Sequence, residues 1–374
     1  MHIAHIVPSL EERHGGPSKS VRATALASAQ TGNTVELLTT APVAAQPEKN
    51  ETLTVETFRR DWPQKFCPSR GLRERLATST ADIVHHHSLW LRTLHYAHRC
   101  AVRRAVPLVV SPRGMMSTWS WEHHAYRKKF ARHVIHPGAL EAISGWHATS
   151  KEEAGEIAAL GFKQPVCIAP NGVATPEPDA TAAAAEYWRK ACPQVADQRV
   201  ALFYSRFHEK KRVIELIDLW LERAPRDWML LLVGLPQTYS TQMLDRYIMR
   251  NSGAGRIRVF DGTGKPPPYA VASLFVLPSH TENFGLVIAD AMAHGLPTIV
   301  TDTTPWRGLN DTGGGACVPW SEFGPMLAGF TAESRQKLRA RGMLARAWTL
   351  REFSWESSAR LLADFYENLK ATPP

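Results

Sequence analysis

The sequence predicts an α/β protein built from two Rossmann-like, doubly wound domains that face an interdomain cleft. Its 374 residues exceed what one hydrophobic core usually supports. Short apolar runs alternate with helix-length segments in two separate series, the pattern of parallel sheets with helices on both faces. A Pro/Ala-rich stretch, TPEPDATAAAA, parts the two series. The expected division is a first domain over 1–175, a linker over 176–196, a second domain over 197–352 and a C-terminal helix over 353–372.

In chain order, HIAHIV opens as a strand, a helix runs from about Ser18 to Gln30, and TVELLTT follows as the next strand. DIVHHH (82–87), VPLVVS (106–111), WHATS (146–150) and PVCIAPNGV (165–173) continue the first series. RVALFYS (199–205) begins the second, followed by WMLLLVG, IRVFDG, LFVLP and LPTIVT. These runs are rich in Val, Leu, Ile and Phe, which suits strands buried on both faces. FSWESSARLLADFYENLK has apolar residues at helical spacing and closes the chain as an amphipathic helix.

The segment PSHTENFGLVIADAMAHGLPTIVTD carries the most chemistry. A buried strand ending at Pro278 leads through a polar loop into a helix that begins near Gly285, with Gly295 and Pro297 as its stop. The amides of Asn283, Phe284, Gly285 and Leu286 then face outward at a strand's carboxyl end, where the helix dipole favours an anionic diphosphate. Gly285 permits close backbone approach. Glu282 precedes the amides, and Asp290 lies about five residues into the helix, roughly 7 Å along its axis. The two carboxylates are placed to take hydroxyls on either side of a diphosphate.

Arg206 and Lys211, in FYSRFHEKKR, follow a buried strand and precede the helix VIELIDLWLERA. Two cations there suit a diphosphate clamp, Arg bidentately and Lys as a point charge. Gly15 and Gly16, in GGPS after the first strand, permit close approach to a phosphate or sugar, although most such pairs are only turns. Arg113, in SPRGMM, is permanently charged and suits phosphate or acceptor binding as well as a structural salt bridge. His85, His86 and His87 alternate faces along a strand, so the three do not converge on one ion, and no metal site is expected. His87, nearest the strand end, is a candidate binding residue. Tyr126, Phe130 and Val134 recur every four residues beside Arg127, Lys128, Lys129 and Arg132, a pattern shared by a helix lying on an anionic membrane and by a core-facing helix with a charged back.

Composition narrows the class. With 44% hydrophobic and 21% charged residues, the chain reads as a soluble globular protein, and no apolar run is long enough to span a bilayer. The start, MHIAHIVPSLEERHGG, lacks a basic leader and a cleavage site. Five scattered cysteines suggest neither a disulfide framework nor a zinc site, which fits a cytoplasmic location. The formal charge of +9 points to an anionic partner: a nucleotide diphosphate, a lipid surface or, less well supported without any recognition motif, nucleic acid.

The 282–290 segment resembles the retaining glycosyltransferases of the GT-B fold, family 4, group 1, whose second domain carries two Glu residues with seven positions between them. Asp290 stands where relatives usually have the second Glu. Arg206 to Arg212 is similar to the family's Arg-x-x-x-Lys-Lys-Gly turn, with Arg212 in place of Gly, and relatives carry glycines in the loop of Gly15 and Gly16. Arg113 stands where many relatives have His near the donor sugar. The resemblance implies that Glu282 contacts the donor sugar, Asp290 the ribose, and Arg206 and Lys211 the diphosphate, with a nucleoside diphosphate sugar as substrate and neither cofactor nor metal. It implies a hexosyltransferase acting on a glycan or polyprenyl-linked acceptor in bacterial exopolysaccharide or lipopolysaccharide biosynthesis, and a last helix that returns to the first domain. A nucleotide-sugar epimerase, a non-catalytic sugar-nucleotide binder and an inverting transferase remain open alternatives.

Overall fold

The computed structural model describes residues 1–11, 16–49, 52–117, 121, 125–253 and 255–371. The chain divides into two compact units, Met1–Gly172 with Phe353–Pro374, and Val173–Glu352.

The first unit holds β1 (His2–Val7), β2 (Thr34–Ala41), β3 (Ala45–Lys49), β4 (Leu53–Arg59), β5 (Ile83–His87), β6 (Leu108–Ser111), β7 (Gly145–Ala148) and β8 (Val166–Ile168). They form one sheet in the order β3-β4-β2-β1-β5-β6-β7-β8, parallel except where β3 runs against β4. β3 and β4 were not foreseen. Every residue of β3 is exposed, so it has no buried apolar signal.

Helices cover both faces of this sheet. Leu72 and Leu76 of α2 (Arg70–Ala77) and Leu94 and Ala97 of α3 (Arg92–Arg104) pack with Val84 and Ile6 on one face. Val21 and Ala25 of α1 (Gly16–Gln30) and Leu362 and Tyr366 of the C-terminal helix (Trp355–Ala371) pack with Ile3 and Ile83 on the other. Adjacent strand residues face opposite sides, so His85 and His87 share the side of Ile83, while His86 shares that of Val84. The C-terminal helix meets the sheet's end where Gly172 passes Trp355; a Cβ on Gly172 would sit 2.3 Å from the Trp355 nitrogen. Further along, α4 (Ala125–Phe130) and α5 (Lys151–Ala159) complete the unit's named helices.

The second unit holds β9 (Arg199–Phe207), β10 (Trp228–Pro236), β11 (Ile257–Asp261), β12 (Leu274–Leu277), β13 (Thr298–Thr301) and β14 (Gly315–Val318), all parallel, in the order β11-β10-β9-β12-β13-β14. Its helices are α6 (Pro178–Ala191), α7 (Val213–Arg223), α8 (Thr241–Arg250), α9 (Leu286–Ala293), α10 (Trp320–Ala332) and α11 (Arg335–Glu352). Trp228 through Val233 are fully buried, and each large apolar side chain so placed contributes about 1.5–3 kcal/mol. The segment over 176–196, expected as a linker leading into a short helix, is mostly that helix, α6, and belongs to this unit. Trp188 donates from Nε1 to the Pro266 carbonyl at 2.8 Å and packs edge-on against Phe260. An Ala-rich segment carries little hydrophobic signal, yet Ala is the best helix former, and Ala184, Ala185 and Trp188 are buried on its docked face.

Strand order reverses between β1 and β5 in the first unit and between β9 and β12 in the second. In open α/β sheets, ligands bind outside the carboxyl ends of strands at such switch points. Residues of interest in both units fall there.

Candidate active site

β9 ends at Phe207 and passes through a short 3-10 turn, Glu209–Lys211, before α7. β12, its neighbour across the switch point, ends at Leu277 and leads to Ser279 and Glu282. The two loops are tied together, since the His280 amide donates to the Lys210 carbonyl at 2.7 Å. Lys211 donates from Nζ to Glu282 Oε1, and both side chains are nearly buried. The same carboxylate oxygen accepts the Ser279 hydroxyl at 2.8 Å. Thr301 and Thr303 hold the Ser279 carbonyl from β13's end, each at 2.6 Å. The site is therefore pinned by three adjacent strands.

Arg206 reaches Gln237 from the carboxyl end of β9 at 3.4 Å, a weak contact, and forms no ion pair among the described residues. Burial and the neighbouring Lys211 and Arg206 charges together lower the Lys210 pKa, an effect that Glu282 only partly opposes. The loop is thus electropositive. Arg212 replaces the family's Gly yet adopts the left-handed backbone that Gly would favour, with φ 50. Its guanidinium donates to His280 Nδ1 at 2.9 Å and lies 4.9 Å from the Trp320 ring centroid, so the turn persists with different support.

α9 begins as expected, one residue after Gly285, whose φ is 81 and which offers no side-chain cap. A Cβ there would approach Ile288 Cδ1 to 2.7 Å. First-turn amides such as that of Leu286 have no intrahelical acceptor, which suits them to an anion. Phe284 turns its ring inward against Trp306, whose indole donates to the Phe284 carbonyl at 2.5 Å, so it contributes backbone rather than surface. Asn283 sits between Glu282 and this buried ring. Asp290 lies on α9, and its carbonyl, not its carboxylate, receives His294 Nδ1 at 2.7 Å. Its charge is felt by Tyr269, whose pKa rises through burial and then through Asp290.

In the first unit, Gly15 lies outside the described residues, and Gly16 is the exposed first residue of α1. His87 and Arg113 belong to a buried network that the sequence only half revealed. Arg113 donates to His87 Nδ1 at 3.2 Å, which leaves the proton on His87 Nε2, and this donates to His5 Nδ1 at 2.9 Å. A second chain has an equally fixed direction. His147 Nε2 donates to the Ala169 carbonyl at 2.9 Å, so its Nδ1 accepts the Ser111 hydroxyl at 2.7 Å. Ser111 then accepts from His85 Nε2 at 2.7 Å, and His85 Nδ1 accepts the Tyr366 hydroxyl at 2.6 Å.

Burial, with Arg113 as a secondary cause, drives His5 and His147 down to about 3. Burial first, and then the adjoining imidazoles and Arg113, hold His85 and His87 well below the usual range. All four are neutral. His5, His85 and His87 place ring nitrogens within 4.8 Å of one another, a convergence that the alternation argument overlooked because His5 comes from another strand. Three imidazoles are a donor set that zinc accepts, while both ring nitrogens of His87 are engaged here, by Arg113 and by His5. Coordination through His87 Nε2 would put the proton on Nδ1, against the Arg113 guanidinium, and would set a second cation beside the first. His5, the member that the strand pattern of DIVHHH leaves out, stands inside the apolar run HIAHIV.

A family model described as Glycosyltransferase Family 4 matches residues 14–177, and one described as Glycosyl transferases group 1 matches residues 198–322. The chain belongs to the family 4, group 1 glycosyltransferases, and its two parallel-sheet units are those of the GT-B fold. A curated relative, the lipopolysaccharide core biosynthesis mannosyltransferase LpsB of Rhizobium meliloti (strain 1021), is 29% identical over 178 residues. That match covers 44% of this chain and 50% of LpsB, so the chain spans half the length of this relative. Among solved structures, Anabaena HepE in complex with UDP and glucose superposes with a TM-score of 0.75 at 16% identity, covering 98% of this chain and 100% of that one. Sucrose-phosphate synthase from Thermosynechococcus elongatus gives 0.74 at 19% identity over 99% and 100%. WaaG, a glycosyltransferase involved in lipopolysaccharide biosynthesis, gives 0.69 at 14% over 97% and 99%. At these identities the structural likeness speaks for the fold.

Proposed function

We propose that this protein moves a sugar from a nucleoside diphosphate donor to a hydroxyl of a glycan or lipid-linked acceptor, with retention of anomeric configuration, during assembly of bacterial lipopolysaccharide or exopolysaccharide. One observation carries the reading: the nearly buried Lys211–Glu282 pair stands at a switch point beside the uncapped start of α9. An incoming diphosphate competes for Lys211, meets Arg206 and the first-turn amides, and releases Glu282 toward the sugar hydroxyls while Ser279 keeps it oriented. The bond from the anomeric carbon to phosphate oxygen breaks as the bond to the acceptor oxygen forms, and the departing phosphate takes the acceptor's proton. Two side-chain cations and the helix amides supply the countercharge that a divalent ion would otherwise bring. Asp290 takes the ribose in this reading.

The names of LpsB and WaaG support a lipopolysaccharide setting. The helix at Ala125–Phe130 and the π-turn after it support peripheral membrane contact. Tyr126, Phe130 and Val134 are 68%, 51% and 51% exposed, which removes the core-facing reading of this stripe. Lys129 is exposed alongside them. No described helix is long and apolar enough to cross a membrane. The test is incubation with UDP-, GDP- and dTDP-sugars and a lipid-linked or core-glycan acceptor. NMR should show a product with the donor's anomeric configuration. Inversion would refute retention, sugar isomerisation without acceptor would indicate an epimerase, and no turnover of any donor would refute the reading.

A further inference from the structure

Arg113 follows β6 at its carboxyl end, in a left-handed conformation with φ 54, ahead of Gly114 at φ 77. Such a backbone is uncommon for a residue with a side chain. Nη1 donates to Asn171 Oδ1 at 2.8 Å and Nη2 to His87 Nδ1 at 3.2 Å, while Nε is buried without a partner. Both acceptors are neutral, and Arg113 forms no ion pair among the described residues. Glu153, the acid whose charge reaches it, is already committed: Oε1 accepts the Gly114 amide at 2.7 Å, and Oε2 accepts the Thr149 amide at 2.8 Å and its hydroxyl at 3.1 Å.

Among the described residues no other acid pairs with Arg113. Four imidazoles are held neutral by burial, and the directed chain from Arg113 through His87 ends at His5 Nε2, itself buried without an acceptor. Burial lowers the Arg113 pKa to about 10, which still leaves it charged at neutral pH. A desolvated cation retained without an ion pair is costly, and proteins keep such groups where a ligand completes them. Arg113 as a residue is only half-buried, so part of it meets solvent.

We propose that Arg113 is an anion-binding subsite that takes a carboxylate or phosphate carried by a sugar substrate, with His87 and His5 as positioning residues that fix the guanidinium. The shared chemistry is a planar or tetrahedral oxyanion matched by a guanidinium fork. The neutral imidazoles serve this role because they accept from Arg113 without neutralising it. The assignment rests on the transferase reading only in calling the ligand a substrate; anion binding itself is measurable without donor or turnover.

The experiment is calorimetric titration of the full chain with glucose, glucuronate and glucose 6-phosphate. One charged sugar should bind about ten- to a hundred-fold tighter than glucose. Which one does so separates a carboxylate from a phosphate ligand. Arg113→Gln should abolish the preference, His5→Phe should reduce it, and Lys211→Ala should leave it unchanged. In the unaltered chain, charged sugar but not glucose should shift the side-chain ¹⁵N resonances of His87 and His5, a readout that stands even if Arg113→Gln fails to fold. Equal binding of charged and neutral sugars, a preference surviving Arg113→Gln, or one lost in Lys211→Ala instead would overturn the proposal, as would silent His87 and His5 resonances.

Discussion

Lys211 and Glu282, 71 residues apart in sequence, share one hydrogen-bonded ion pair because β9 and β12 are adjacent across the strand-order reversal of the second unit. Each is the other's principal partner at rest, and each is assigned to substrate in the working enzyme. That double duty gives the pair a measurable signature. Lys211→Ala strands a nearly buried carboxylate and should cost on the order of 3 kcal/mol of stability. The Lys211→Met, Glu282→Gln double variant should fold nearly as stably as the parent. Lys211→Ala, Glu282→Gln and the double variant should each lose about 100- to 1000-fold in kcat. Denaturant unfolding with turnover assays reads both effects, and a double variant less stable than either single would contradict the pairing.

Arg212 occupies a left-handed position where a β-carbon costs roughly 1–2 kcal/mol. Arg212→Gly should relieve that strain while losing the His280 hydrogen bond and the Trp320 contact, for a net change near zero. Arg212→Ala loses the same contacts and keeps the strain. The Gly variant should therefore be more stable than the Ala variant by about 1 kcal/mol, as urea midpoints would show. Equal stability would mean that the turn relaxes to another conformation.

The first unit should be acid-sensitive. His5, His86 and His147 are pushed to about 3, chiefly by burial, with His85 and His87 also well below their usual value. The unfolded chain takes up these protons below about 6.5 while the folded chain does not, so stability falls as pH drops from about 6.5 toward 3, by about 1.4 kcal/mol per unit for each histidine. Glu156, pushed up to about 7 first by burial and then by Glu153 and Glu152, works in the opposite sense between about 7 and 4.5, as a single group. Melting temperature should drop by on the order of 10 °C between pH 7.5 and 5.5. A flat profile would show that the histidines are not held neutral.

Tyr126 and Phe130 should mediate vesicle binding. Replacing both with Ser should release the protein from phosphatidylglycerol-rich liposomes in co-sedimentation, and raised salt should weaken binding further. Failure of the parent chain to sediment with anionic vesicles would remove the membrane contact.

The second unit was legible because its signals are local. Glu282, the amide turn and Asp290 lie within one strand-loop-helix segment, and buried parallel strands read as apolar runs. The first unit's network draws on β1, β5, β6, β7 and the C-terminal helix, so no stretch of sequence contains it. Period-two alternation correctly separated His86, bonded to Ser88 and Thr93 on the far face, from His85 and His87. It carried no information about which strand lies beside β5, and so His5 was missed. The stripe of Tyr126, Phe130 and Val134 illustrates another limit: periodicity reveals a shared face, not what covers it.

Calorimetric titration with UDP, GDP and dTDP probes the diphosphate site itself, since the diphosphate is the part of the donor that Arg206, Lys211 and the start of α9 are assigned to hold. One nucleotide should bind with one-to-one stoichiometry, and Arg206→Ala and Lys211→Ala should each weaken it by tenfold or more. Absence of binding by all three, or affinity unchanged in both variants, would contradict the account.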